Sequence, residues 1–207
     1  LIHEPMAAAI GIGIDVLEPM GNMVIDIGGG TTEIAVISLG GIVTDKSIKV
    51  AGDEFTDNIK NYMKTRYNIA VGDNMAEKIK INVGSAMTEL EDPPPNFPVH
   101  GRDLMNGIPK EVIVTYKEIA NSLNNSIEQI ESAIMNALFN TPAELSADIY
   151  NTGLYLTGGG SMLRGLDKRI ALKTKLPVYV AEDPLRAVAR GTGIALKNTD
   201  NYSFLIQ

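Results

Sequence analysis

The chain has 207 residues, a formal net charge of −7 at pH 7 and 44% hydrophobic residues, a balance typical of a globular protein. The acidic balance excludes a protein built to coat nucleic acid, which needs a basic surface, so we expect no nucleic-acid partner. There is no cysteine, and the two histidines, His3 and His100, lie too far apart in sequence for a metal-ligand pattern. The chain begins at Leu1 without a signal-peptide pattern, so we expect a cytosolic protein and a piece of a longer one.

The first part of the chain predicts a short helix followed by three strands. Small and apolar residues from Met6 to Ile10 have a helical pattern. Three apolar and β-branched runs predict consecutive strands: Met23–Ile27, Thr31–Ser38 and Ile42–Val50. The triplet Gly28-Gly29-Gly30 separates the first two runs, so we expect it to form a hairpin turn.

The middle of the chain predicts two helices and a small hairpin. Asp53 and Asp73 are predicted N-caps of the two helices. Apolar residues recur every four positions behind them: Phe55, Ile59 and Met63, then Met75, Ile79, Val83 and Met87. Four prolines between Glu91 and Pro98 exclude regular structure there. Short strands are predicted near Val99 and at Val112–Thr115, on either side of the turn signal Asn106-Gly107.

The last part predicts a long helix and then a strand–helix–strand–helix order. The long amphipathic helix spans Ile119 to Leu138 and stops before Pro142. A second triplet, Gly158-Gly159-Gly160, follows the predicted strand Leu154–Thr157 and joins it to a helix. A last helix is predicted from Pro184 to Lys197, because proline suits a first helical turn. The whole order predicts an α/β fold, interrupted by an inserted lobe.

The two glycine triplets suit a nucleotide held between two loops. Each triplet follows a strand, and glycine lets backbone N–H groups approach a phosphate closely. The alternative is that each triplet only relieves strain in a tight turn. Neither triplet fits a P-loop or a dinucleotide fingerprint.

Asp26 lies inside an apolar strand, two residues before the first triplet. Burying a carboxylate there is costly unless a cation or hydrogen-bond donors meet it. Mg²⁺ keeps most of its waters and needs only one or two nearby carboxylates, so Asp26 fits a magnesium site. A structural aspartate that accepts hydrogen bonds from the turn fits equally well.

Four segments together resemble one family. Asp26–Glu33 is similar to the second phosphate loop of the actin/Hsp70/sugar-kinase superfamily, and Leu156–Leu163 is similar to its adenosine loop. Glu4–Gly11 and Ala181–Gly191 narrow the resemblance to the MreB family of rod-shape-determining bacterial actins. The resemblance implies an actin-like ATPase half: a ribonuclease H-like mixed sheet flanked by helices, with an inserted smaller α+β lobe.

By this resemblance the chain corresponds to the second half of such a protein. Residues 1–52 and 117–197 would form lobe IIA, residues 53–116 lobe IIB, and residues 198–207 a tail without a recognised motif. The first half of the family, with its own phosphate loop and a membrane-binding segment, has no counterpart in this sequence. We therefore expect slow ATP hydrolysis from the full-length protein and little or none from this chain alone.

The resemblance also implies residue roles. Glu4 would position or deprotonate the water that attacks the γ-phosphate, and Thr31, also catalytic, would hold water and phosphate together with Thr32. Asp26 would bind Mg²⁺ through water, without a direct metal ligand. The remaining implied nucleotide contacts are Gly28, Gly29, Gly30, Gly52, Glu77, Lys80, Gly158, Gly159, Gly160 and Met162. An exposed ion pair is the alternative for Glu77 and Lys80, and a core position is the alternative for Met162.

Two functions fit the sequence. The first is a cytoskeletal filament protein that depends on ATP (or GTP) and Mg²⁺ and controls rod shape and lateral cell-wall synthesis. Its implied partners are its own copies in head-to-tail filaments and paired protofilaments, a RodZ-type membrane anchor, cell-wall elongation proteins and, through the first half, the inner face of the cell membrane. The alternative is a small-molecule kinase of the same superfamily, for a sugar or acetate, which would need an aspartate base where this chain offers Glu4.

Overall fold

The computed structural model describes residues 1–202 and has a mixed α/β architecture with two separate sheets. The strands are β1 (Asn22–Ile27), β2 (Thr32–Ser38), β3 (Gly41–Ile48), β4 (Ile69–Ala70), β5 (Phe97–Asp103), β6 (Pro109–Val114), β7 (Leu154–Thr157) and β8 (Val178–Val180). The helices are α1 (Glu4–Gly11), α2 (Gly52–Tyr67), α3 (Asp73–Val83), α4 (Tyr116–Phe139), α5 (Ala143–Thr152), α6 (Leu166–Thr174) and α7 (Ala187–Lys197). The three predicted N-terminal strands and the long helix are thereby confirmed.

The larger sheet brings the two glycine triplets together. Its order is β3-β2-β1-β7-β8, with β1 antiparallel to β2 and parallel to β7. All six residues of β1 are buried, as expected of a central strand that is covered on both faces. Because β1 and β7 are parallel and pair Asp26 with Thr157, their carboxyl ends lie at the same edge of the sheet. Each triplet follows one of these ends.

The smaller sheet has the order β4-β5-β6 and contains the predicted hairpin. Gly107 has a φ of +78° at the turn, as its glycine identity allows. The prediction that residues up to Pro98 lie outside regular structure is wrong, since Pro98 is part of β5. The strand β4 pairs only with Arg102 and Asp103, so β5 has one neighbouring strand at Pro98 and tolerates its missing N–H.

Both predicted aspartate N-caps are wrong. The N-cap of α2 is Ala51 and that of α3 is Gly72, so Asp53 and Asp73 lie in the first helical turns. Their carboxylates still lie near helix N-termini, where the helix dipole stabilises negative charge. Aspartate is therefore favoured in the first helical turn, just as it is at the N-cap position. The prediction also extends α3 to Met87, whereas the helix ends at Val83 before the extended Gly84.

Several short elements are absent from the sequence prediction. Helix α5 begins directly after Pro142, so this proline marks the start of a helix as well as the end of α4. A 3₁₀ turn at Gly159–Met162 precedes α6, and another at Pro184–Arg186 precedes α7. The predicted tail begins with a 3₁₀ turn at Thr199–Asn201, and its residues 203–207 lie outside the described residues.

Helices α1 and α7 cross in close backbone contact. A Cβ added at Gly191 would lie 1.7 Å from the Ala7 carbonyl oxygen, and one added at Gly11 would lie 1.8 Å from the Ala187 carbonyl oxygen. The crossing therefore requires glycine on both helices. Across residues 1–202, no helix is both long enough and apolar enough to pass through a membrane.

Candidate functional site

A cleft of about 870 Å³ opens where β1 and β7 end. It is lined by most of the residues that the sequence implicates: Glu4, Asp26, Gly28, Gly29, Gly52, Glu77, Lys80, Gly158, Gly159, Gly160 and Met162. These residues come from α1, the ends of β1 and β7, and the helices α2 and α3. The parallel register of β1 and β7 is what brings such distant parts of the chain together.

Three implicated residues lie outside this lining: Gly30, Thr31 and Thr32. The Thr32 side chain is fully buried, and its hydroxyl donates to the Val50 carbonyl oxygen at 2.7 Å. The implied use of this hydroxyl for phosphate conflicts with that bond, because its single proton is already used inside the sheet. Thr31 closes the first turn, since its carbonyl oxygen accepts a hydrogen bond of 2.9 Å from the Gly28 N–H.

In the second turn, two of the three glycines are required by packing. Gly158 has a φ of +79°, and a Cβ there would lie 2.3 Å from Asp26 Oδ1. A Cβ at Gly160 would lie 2.3 Å from Ile27 Cγ2. At Gly159 a Cβ would meet only the flexible Leu185 side chain, 3.0 Å away. Gly159 is therefore the position where a side chain would enter the cleft with the least damage to the turn.

The first turn is tied to the start of α2. The N–H of Gly52 donates to the Gly28 carbonyl oxygen at 3.1 Å, and the N–H of Asp53 donates to the Gly29 carbonyl oxygen at 2.8 Å. The Asp53 carboxylate also lines the cleft. The sequence predicted Asp53 only as a helix cap and did not reveal that this residue lines the cleft.

The other end of the cleft is more apolar. Met162 is 59% exposed and lines the cleft, so the alternative of a core position does not hold. Leu163 and Arg164 follow it in the lining, and the Arg164 guanidinium donates to the Ile81 carbonyl oxygen at 2.8 Å. The sequence carried no signal for Ile81 or Arg164, because their location depends on how α3 packs against the loop before α6. This end suits the flat, weakly polar surface of a base.

Burial raises the pKa of Asp26 from 3.8 to about 6, and the negative charge of Glu4 adds to the effect. Thr157 lies opposite Asp26 on β7 and acts in the other direction, lowering the pKa of Asp26 by less than burial raises it. A buried carboxylate that is costly to ionise fits a position that a hydrated cation occupies. Among residues 1–202, no cluster of three or more His, Asp or Glu side chains is arranged to hold a metal ion directly.

Asp26→Asn should stabilise the ligand-free protein at pH 7 by about 2 kcal/mol. The folded pKa lies above the unfolded value, so ionisation of Asp26 costs stability, and that cost appears as the pH rises from about 4 to about 6. The difference between the two proteins should therefore be smallest below pH 4. Urea unfolding of both proteins across this pH range measures it, and an equal difference at every pH would contradict the assignment.

The strand order of the larger sheet, with two glycine turns meeting over a cleft, defines the actin-like ATPase fold. The family described as MreB/Mbl protein matches residues 1–203, and this chain belongs to that family. It is 47% identical to the cell shape-determining protein Mbl of Bacillus subtilis (strain 168) over 200 residues, which are 97% of this chain and 60% of Mbl. It is 48% identical to the cell shape-determining protein MreB of Escherichia coli (strain K12) over 202 residues, 98% of this chain and 58% of that protein.

The crystal structure of MreB5 of Spiroplasma citri bound to AMPPNP is similar to the whole fold. Its TM-score is 0.92 at 40% identity, over 96% of this chain and 59% of MreB5. The ADP-bound structure of the same protein also has a TM-score of 0.92. The chain thus spans about 60% of the length of the relatives it matches.

Proposed function

We propose that this chain forms the nucleotide-binding half of an ATP-dependent cytoskeletal filament protein that controls cell shape. The observation that carries the proposal is the convergence of both glycine turns, Glu4 and Asp26 on one cleft. A phosphate chain needs many donors close together and a cation near by; the glycine turns permit close approach to backbone N–H groups, and Asp26 suits a hydrated cation. The family membership of the chain supports the cytoskeletal role.

In this proposal the phosphates lie at the two glycine turns and the base lies towards Met162. Glycine at both turns permits close approach to the backbone. Mg²⁺ would supply charge neutralisation at the phosphates, held through water near Asp26. The adjacent Glu4 would orient the attacking water and accept its proton, a role that requires hydrogen-bond reach to that water.

The names of the relatives support the cytoskeletal role. Two relatives are called cell shape-determining proteins, and MreB5 has crystal structures with AMPPNP and with ADP. For the protein that carries this chain we propose head-to-tail filaments, paired protofilaments and a location at the inner face of the cell membrane. A RodZ-type anchor and the cell-wall elongation proteins are the proposed partners, and lateral cell-wall synthesis is the proposed process.

Glu4→Ala should preserve nucleotide affinity and lower the rate of hydrolysis by roughly a hundredfold. The reason is that Glu4 would act on the attacking water and not on the bound phosphates. Phosphate release measured beside the affinity for a fluorescent ATP analogue separates the two effects in the protein that carries this chain. A large loss of affinity with unchanged turnover would assign Glu4 a different role.

Sedimentation with Mg-ATP tests the proposed function. We expect the protein that carries this chain to pellet with ATP and to transfer no phosphate to sugars or acetate. Phosphorylation of such an acceptor, with no pelletable assembly, would establish the kinase alternative instead. If the protein bound no nucleotide, both the filament function and the kinase alternative would be refuted.

A further inference from the structure

We propose that Arg169 is a positioning residue for the base end of the cleft and that it acts through the Ala86 carbonyl group. The inference rests on the proposed nucleotide function and adds to it a residue outside the cleft lining. Arg169 lies on α6 and is not among the residues that line the cleft. Its contacts nevertheless lead to the two chain segments that meet at the base end, near Met162.

The Arg169 guanidinium joins three separate parts of the chain. From α6, its Nε and Nη2 donate to the two carboxylate oxygens of Glu131 on α4, at 2.9 and 3.4 Å. Its Nη1 donates to the Ala86 carbonyl oxygen, in the connection that follows α3, at 2.9 Å. The Arg169 and Glu131 side chains are only 17% and 8% exposed. Because a planar fork held by a carboxylate has a fixed direction, its third bond fixes the position of Ala86.

The residues around Ala86 are paired with the segment that leads into α6. The Ala86 N–H donates to the Arg164 carbonyl oxygen at 2.8 Å, and Ser85 forms a parallel bridge with Arg164. We call this pairing of Ser85 and Ala86 with Arg164 the seam. The Arg164 guanidinium donates in turn to the Ile81 carbonyl oxygen at 2.8 Å. Because Ile81 and Arg164 both line the cleft, a displacement of the seam would change the shape of the base end.

The alternative is that Arg169 and Glu131 form an ion pair that only stabilises the fold. Breaking a buried ion pair on one side is costly, because the remaining charge loses its partner. Under this alternative, nucleotide affinity would depend on the ion pair alone. Under the proposal, affinity depends on the hydrogen bond to Ala86. The two roles can be separated, since Nε and Nη2 contact Glu131 whereas Nη1 contacts Ala86.

Two substitutions separate these roles. Arg169→Lys keeps a positive charge opposite Glu131 but removes the fork that reaches Ala86 at the same time. Glu131→Gln removes the carboxylate charge and retains the Arg169 Nη1 that donates to Ala86. The first variant therefore tests positioning, and the second tests the ion pair. Lys173→Met, at an exposed position on α6, is the matched control.

The test is calorimetric titration with Mg-ATP, with a melting curve on each sample, in the protein that carries this chain. We expect Arg169→Lys to bind Mg-ATP about fivefold more weakly, which corresponds to the loss of one hydrogen bond. Glu131→Gln should have a lower melting temperature than wild type, while its affinity changes by less than about twofold. Lys173→Met should match wild type in both measurements.

Two results would overturn the proposal. The first is a change of less than about twofold in the affinity of Arg169→Lys for Mg-ATP. The second is a loss of more than about twofold in Glu131→Gln, because affinity would then depend on the ion pair. A wild-type protein that does not bind Mg-ATP would instead refute the proposed nucleotide function itself.

Ser85→Ala keeps the test decisive if either charged variant does not fold. The Ser85 hydroxyl oxygen lies 2.7 Å from the Met87 carbonyl oxygen and 3.3 Å from the Arg164 carbonyl oxygen, and Ser85 lies outside the cleft lining. Its removal loosens the seam without changing the ion pair, so we expect about threefold weaker binding of Mg-ATP. Unchanged affinity in a folded Ser85→Ala variant would overturn the proposal.

Discussion

Gly191→Ala should lower the free energy of unfolding by about 3 kcal/mol, which is roughly 10 °C in melting temperature for a chain of this size. The new methyl group would lie 1.7 Å from the Ala7 carbonyl oxygen, and backbone cannot move aside as a flexible side chain does. Helices α1 and α7 must separate to accommodate it. A thermal unfolding curve followed by circular dichroism measures the effect.

Gly193→Ala is the matched control for this substitution. Gly193 lies two residues further along α7, is exposed, and has no heavy atom within 4 Å of an added Cβ. Alanine there should stabilise the helix by roughly 0.5–1 kcal/mol, because glycine is the poorer helix former. Equal melting temperatures for the two variants would contradict the close crossing of α1 and α7.

Gly159→Val should weaken ATP binding by roughly a hundredfold or more while the fold remains near wild type. The positive φ in this turn belongs to Gly158, and Gly159 has no positive φ that would disfavour valine. Valine at Gly159 therefore meets only the movable Leu185 tip, and its bulk enters the cleft. Calorimetric titration and a melting curve on the same sample separate lost affinity from lost stability.

Two other glycine substitutions serve as comparisons for Gly159→Val. Gly72→Val, at an exposed site outside the cleft with open space around an added Cβ, should leave ATP affinity unchanged. Gly158→Ala should act mainly on stability, because its Cβ would collide with Asp26 and the Ile27 carbonyl group. A clear drop in melting temperature for Gly159→Val with unchanged affinity would refute the nucleotide assignment of the second turn.

The structural elements that the sequence predicted best are those specified by hydrophobic periodicity and by the order of the motifs. The buried strand β1, the long helix α4 and the two glycine turns follow from runs of apolar residues and from the residues that interrupt them. Their meeting in one cleft was predictable only through the family resemblance. Nothing local to Gly28 or Gly158 specifies that β1 and β7 are parallel neighbours.

The missed features depend on tertiary contacts that leave no pattern in the sequence. The Thr32 hydroxyl is used by the Val50 carbonyl group because β2 and the segment after β3 lie side by side. The Arg169 guanidinium pairs with the buried Glu131 at 2.9 Å. The partners in these contacts are 18 and 38 residues apart, so neither helical nor strand spacing reveals them.

Hydrogen–deuterium exchange with and without Mg-ATP tests the central claim most directly, because it maps where the nucleotide lies without any substitution. We expect slower exchange at the two turns, residues 28–31 and 158–163, and at the start of α2 beside Gly52. A second groove, of about 630 Å³ between β3 and α4 near Lys46 and Gln129, should exchange at the same rate in both states. Protection confined to that groove, or no protection at either turn under saturating Mg-ATP, would contradict the assignment of the cleft to a nucleotide.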